Sequence, residues 1–300
     1  MKTLKQQPSG VEYHRVLAGE DRRIGRGILA IVLLVGGLFA AIAALSYLGQ
    51  WLDEMLFPDG WGEAVEAYSP VTFAAALIAT ALLIPWSMVI QRWLYGVPAA
   101  SLHSVASHFR FTLFGRALLV IVPAFVVALA TTELLAPGGT AMWSQRDTVL
   151  MLVVMVLLVP LQSAGEEYGL RGLVFRVAGS WARGRWISLL LGVLVSSAVF
   201  AVIHTAADPW WNVFYVVFSL TTSFVTWRTG GVEVAVVMHA AYNTLTFVFW
   251  IALSADLAER FDRSAGAVTA ALMAPTSLVL IAIAVVVGLR TRRTGPVRTP

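Results

Sequence analysis

Long, solidly apolar runs alternate along the chain with short polar connections. Eight such runs lie at about residues 27–49, 70–90, 117–135, 148–161, 186–205, 210–227, 232–253 and 267–289. Most approach the ~20 residues that cross a bilayer core as a helix. None shows the in–out alternation of a membrane barrel strand, so each is read as a helix. The pattern predicts an all-α, polytopic integral membrane protein of about eight transmembrane helices. They form one domain over residues 27–289, between a polar, basic and flexible tail at 1–26 and a basic tail at 290–300. Pro85 predicts a kink in the second span. Ala41-Ile42-Ala43 looks like a leader cleavage site, but the apolar run continues past it, so the segment is read as the first span.

Composition narrows the class further. At 58% hydrophobic and 13% charged residues, the chain is no ordinary soluble domain. A net charge of +4 and a pI near 9.7 would suit a nucleic-acid binder. The basic residues flank the spans, however, which points to topology and anionic lipid headgroups; no nucleic-acid partner is expected. Of the 21 Lys and Arg, only Arg146, Arg260 and Arg263 fall in odd-numbered connections, where acidic residues gather. That asymmetry places both termini in the cytoplasm; the membrane is expected to be of the bacterial plasma-membrane type. No cysteine is present, which excludes disulfides and thiolate nucleophiles.

Chemistry enters where ionisable residues interrupt the apolar runs, because such residues are costly in hydrocarbon and functional by default. The fourth run leads into Gln162-Ser-Ala-Gly-Glu-Glu-Tyr-Gly-Leu-Arg-Gly172. On a helix Glu167 and Arg171 are i,i+4 and can pair, whereas Glu166 points elsewhere. The favoured reading is that Arg171 holds Glu167 while Glu166 stays free for chemistry; the alternative is an interfacial cluster that merely ends a span. The fifth span carries Phe200 and His204, and the seventh His239 and Asn243, each pair sharing one helical face. One membrane histidine is readily explained as interhelical glue. Two, with an asparagine and a Glu pair on three spans, are most economically satisfied in one shared polar cluster. His14, His103 and His108 lie in the tail and a basic loop, where solvated surface histidines are expected.

Glu-Glu-x-x-x-Arg, then Phe-x-x-x-His, then His-x-x-x-Asn resembles the three-motif signature of the CPBP family of CAAX prenyl endopeptidases, bacteriocin-processing enzymes and Abi-type immunity proteins. The resemblance covers about residues 150–250, and Leu170 stands where the family often has an aromatic. It implies an intramembrane endopeptidase with a membrane-associated peptide or protein as partner, a prenylated CAAX peptide being one family option. Glu166 and His204 would activate water, His239 and Asn243 would hold the oxyanion, and Glu167, Arg171 and Phe200 would brace the site. It also implies metal-free chemistry, although two histidines and a glutamate could ligate zinc. The His-Glu-x-x-His helix of common zinc peptidases is absent, and Asn243 is a poor zinc ligand, so no cofactor is expected. A non-catalytic immunity or partner-binding protein is the main alternative function, and a transporter a weaker one.

One tension remains within this reading. Glu166 and His239 fall towards the cytoplasmic ends of their spans. His204 lies about 27 Å along a straight helix from Trp186, near the far side. Span five must start outside the bilayer, tilt or kink.

Overall fold

The computed structural model describes residues 7–19, 23–66 and 68–300. Eight long helices account for most of them: α1 (Ile24–Leu56), α2 (Pro70–Tyr95), α3 (Phe111–Leu135), α4 (Gln145–Gly179), α5 (Arg185–Ile203), α6 (Pro209–Thr229), α7 (Glu233–Ala252) and α8 (Ala270–Arg290). Among the described residues, seven are long and apolar enough to cross a membrane. The exception is α6, at the place of the expected sixth span. Its apolar character is diluted by buried Ser219, Thr221, Thr222, Ser223 and Thr226, which face the inside of the bundle. The protein is an all-α, polytopic, integral membrane protein.

Local sequence sets the helix ends. Ser69, Ser144, Asp208 and Thr269 cap the N-termini of α2, α4, α6 and α8 with side-chain oxygens, satisfying backbone donors that would otherwise be orphaned. Gly96 and Gly230 take left-handed conformations at the C-termini of α2 and α6, which glycine adopts at least cost. Helix α2 is interrupted at Leu82, and Pro85 lies in the first turn of its second half. This is the kink expected from the sequence.

Helices α4 and α7 pack closely at the centre, with α2 against α4 and α3 against α7. Helices α5, α6 and α8 close the other side, while α1 lies against α2. The outward faces of α1, α3 and α8 expose large apolar side chains such as Val32, Leu119, Leu134 and Leu278. In water this would be a liability; against lipid tails it is the required surface.

Two expectations change. First, the acidic motif does not end α4. The helix widens into π-type turns over Tyr168–Val174 and continues through Phe175–Gly179. Arg176, expected in a basic loop, is fully buried. It donates to the Tyr13 carbonyl at 3.2 Å and to Gln91 Oε1 at 2.8 Å. Those partners lie far away in sequence, which is why a hydropathy pattern ends the span too soon. Second, the expected flexible tail is packed over residues 7–19. Tyr13, His14 and Val16 are buried, and Glu12 pairs with Arg185 and accepts from Trp227. Thr299 of the C-terminal tail bonds the backbone at Pro8 and Val11. Lys2, Lys5 and Arg22 of the N-terminal tail lie outside the described residues. His14 is thus a core residue, and half-buried His103 hydrogen-bonds the Tyr168 hydroxyl, so neither is a solvated surface histidine.

The longer α4 also resolves the question of depth. Glu166 is 13 residues short of the helix end at Gly179, several helical turns from that end. It therefore sits well inside the bundle, within side-chain reach of the level at which α5 ends.

Candidate active site

The site is built where α4 and α7 cross beside the C-terminal end of α5. Gly165 lets the backbones of α4 and α2 meet, since a Cβ there would collide with the Thr80 carbonyl oxygen. With that face against α2, the two following carboxylates turn towards α7. Glu167 and Arg171 are fully buried, whereas Glu166 keeps 8% exposure, the difference expected if only one carboxylate is claimed.

Arg171 Nη1 stands 3.0 Å from Glu167 Oε1. The contact is ionic rather than a well-aligned hydrogen bond. The guanidinium also lies over the ring of Phe200, 4.4 Å from its centroid, where the π-face offers further compensation. Glu167 has a second partner that spacing on one helix could not reveal: His239 Nδ1 is 2.8 Å from the same oxygen. A nitrogen held in this way leaves the other, Nε2, to face Glu166. Their separation, Nε2 to Oε2, is 3.8 Å.

His204 caps the end of α5. Its Nδ1 lies 2.7 Å from the Phe200 carbonyl oxygen one turn back, which favours the Nδ1–H tautomer and leaves Nε2 as an acceptor. The ring packs between Phe200 and Tyr215, at centroid distances of 4.5 and 4.2 Å. Asn243 projects from α7 one turn beyond His239. Its amide donates to Ser163 Oγ at 3.3 Å and, more weakly, to Gln162 Oε1 at 3.4 Å. Gln162 in turn donates to Glu166 Oε1.

Glu166, His204 and Asn243 line one cavity of about 250 Å³. His239 lies behind that wall with Glu167 and Arg171. The structure therefore places the predicted residues in two layers, one at the cavity and one supporting it. Gln162, Ser163, Tyr215 and Arg263 also belong to the site, and sequence reading had not singled them out. Only Gln162 carried a usable signal, its i,i+4 spacing from Glu166. Among the described residues, no three His, Asp or Glu side chains are grouped so as to hold one metal ion.

Comparison with known proteins adds to this geometry. Residues 145–245 match the family described as "Type II CAAX prenyl endopeptidase Rce1-like". The stretch resembles that family. It holds every one of the motif residues. A relative from Bacillus subtilis (strain 168), named "Uncharacterized protein YyaK", is 27% identical over 105 residues, covering 33% of this chain and 34% of that protein. The chain thus aligns with about a third of that relative. No solved structure matches. The matched segment contains α4 to most of α7; α1–α3 and α8 lie outside it and form much of the lipid-facing wall.

Proposed function

We propose that the protein is an intramembrane endopeptidase that hydrolyses a peptide bond of a membrane-associated substrate. In this reading both termini are cytoplasmic, in a membrane of the bacterial plasma-membrane type. The observation that carries the proposal is the shared cavity of Glu166, His204 and Asn243, backed by the buried Glu167–Arg171–His239 layer. The Rce1-like match supports the reaction class.

Water held between Glu166 and His204 Nε2 attacks the scissile carbonyl carbon. Its proton passes to this carboxylate–imidazole pair. The carbonyl oxygen becomes an oxyanion, stabilised by the Asn243 amide at the cavity wall, which His239, its Nδ1–H given to Glu167, backs from the supporting layer; preorganised donors are worth most where water is scarce. The abstracted proton then goes to the leaving nitrogen, the C–N bond breaks, and a carboxylic acid and an amine are released. Glu167 is the positioning residue, since it fixes His239 and is itself held by Arg171.

The test is hydrolysis of a quenched peptide library by the purified protein in nanodiscs. The expected result is cleavage that disappears in Glu166→Gln. Undiminished cleavage by Glu166→Ala would overturn the mechanism. A cellular effect of the protein that survives Glu166→Gln would favour the non-catalytic, partner-binding alternative. Comparing membrane proteomes with and without the protein would identify the natural substrate.

A further inference from the structure

The cavity has a second charged residue that the hydrolytic mechanism does not use. Arg263 comes from the connection between α7 and α8 and lines the same space as Glu166 and Asn243, at the end away from the chain termini. It is held in place at several points. Its carbonyl accepts from the backbone of Ala207 and Asp208, at 2.9 and 3.1 Å. The Asp208 carboxylate accepts from the Gly266 backbone at 2.8 Å, tying down the same loop. The guanidinium lies 3.7 Å from the centroid of the Trp211 ring, and its Nε donates to the Tyr215 hydroxyl at 3.1 Å. Nη1 is taken by the carbonyls of Arg260 and Asp262.

These partners are all neutral. Asp262, the adjacent carboxylate, turns instead to Ser264. A loop arginine fixed flat on an indole, with its Nη2 edge uncommitted, is preorganised for a planar anion. It shares Tyr215 with the catalytic side of the cavity, because the Tyr215 ring also packs on His204.

We propose that Arg263 is a specificity residue that binds a carboxylate of the peptide, so that the preferred substrate presents an anion close to the scissile bond. The carboxylate is either the free C-terminus or an acidic side chain. The inference rests on the reading of the cavity as a peptidase site, but it is tested by binding and so does not depend on turnover.

Three short apolar peptides of one sequence serve as probes: one with a free C-terminal carboxylate, one with a C-terminal carboxamide, and a carboxamide with glutamate near its end. Their binding to the protein in nanodiscs is followed through tryptophan fluorescence, with Trp211 directly beneath the guanidinium. The expected result is at least about tenfold tighter binding of a carboxylate-bearing peptide than of the plain carboxamide, as for a charge-assisted hydrogen bond. Arg263→Gln removes that preference, and Arg263→Lys keeps part of it. Equal binding of all three peptides, or of none, overturns the proposal, as does an intact preference in Arg263→Gln. If only the free terminus binds tightly, the carboxylate is terminal; if the glutamate peptide matches it, a side chain suffices. Carboxylate preference without hydrolysis would retain this site and reject the peptidase reading.

Discussion

Glu167 Oε1 lies 2.8 Å from His239 Nδ1, joining the acidic motif of α4 to the histidine motif of α7. The same oxygen is 3.0 Å from Arg171. One carboxylate thus sets both a buried guanidinium and an imidazole, while its neighbour Glu166 is left to the cavity. The two glutamates, adjacent in sequence, should respond differently to the same substitution.

Glu166→Gln should fold normally and lose hydrolysis by about 10²–10⁴, the usual contribution of general acid–base catalysis. Glu167→Gln should lower folded yield as well, because removing one partner of a buried ion pair costs about 3–5 kcal/mol. Thermal unfolding in nanodiscs, read beside activity, separates the two. Equal melting losses in both variants would contradict the two-layer arrangement.

Asn243→Ala should slow cleavage by about 10²–10³, as for loss of one oxyanion donor, and leave KM nearly unchanged. An increase in KM with kcat intact would show instead that Asn243 binds substrate in its ground state.

Gly165→Ala should destabilise the protein by about 1–3 kcal/mol through overpacking, because the new methyl meets the rigid Thr80 carbonyl of α2 rather than a yielding side chain. The measurement is the melting temperature against a Gly36→Ala control, where nothing lies near the added atom. Equal stability of the two would mean that α2 and α4 do not need their close approach.

Acid should release the N-terminal segment. Burial pushes the His14 imidazole down from 6.5 to about 4. Burial raises the Glu12 carboxylate, but hydrogen bonds from Arg185 and Trp227 outweigh it and hold the group below 4.5. In both cases the undocked segment binds more protons than the docked one. Docking is therefore fully present above about pH 6.5 and weakens as pH falls, first through His14 down to about 4 and then through Glu12. Within the first window the loss is about tenfold per pH unit. Hydrogen exchange of residues 12–16 at pH 7.5 and 5 checks this; unchanged protection would count against it, and Glu12→Gln should exchange faster already at pH 7.5.

Much of this was legible in the sequence. Apolar runs located the spans because a bilayer demands internally bonded helices of fixed length. The Glu167–Arg171 pair followed from helical spacing, and the convergence of α4, α5 and α7 from the cost of isolated polar groups in lipid. What stayed hidden depends on contacts between distant segments. Arg176 reads as a loop residue until Gln91, Ser101 and Tyr13 are seen around it. His14 reads as solvated until Phe175 covers it. Arg263 is 97 positions from Glu166, in a connection whose local pattern shows only a surface turn. No periodicity reports such meetings.

The cavity leads from Glu166 towards Arg263, away from the docked termini. In the proposed orientation, with the basic end of the bundle inward, this cavity faces the medium outside the cell. Under the proposed hydrolysis, an inhibitor too polar to cross the membrane should then act on intact cells, and cleaved fragments should leave on the outer side instead of returning to the cytosol.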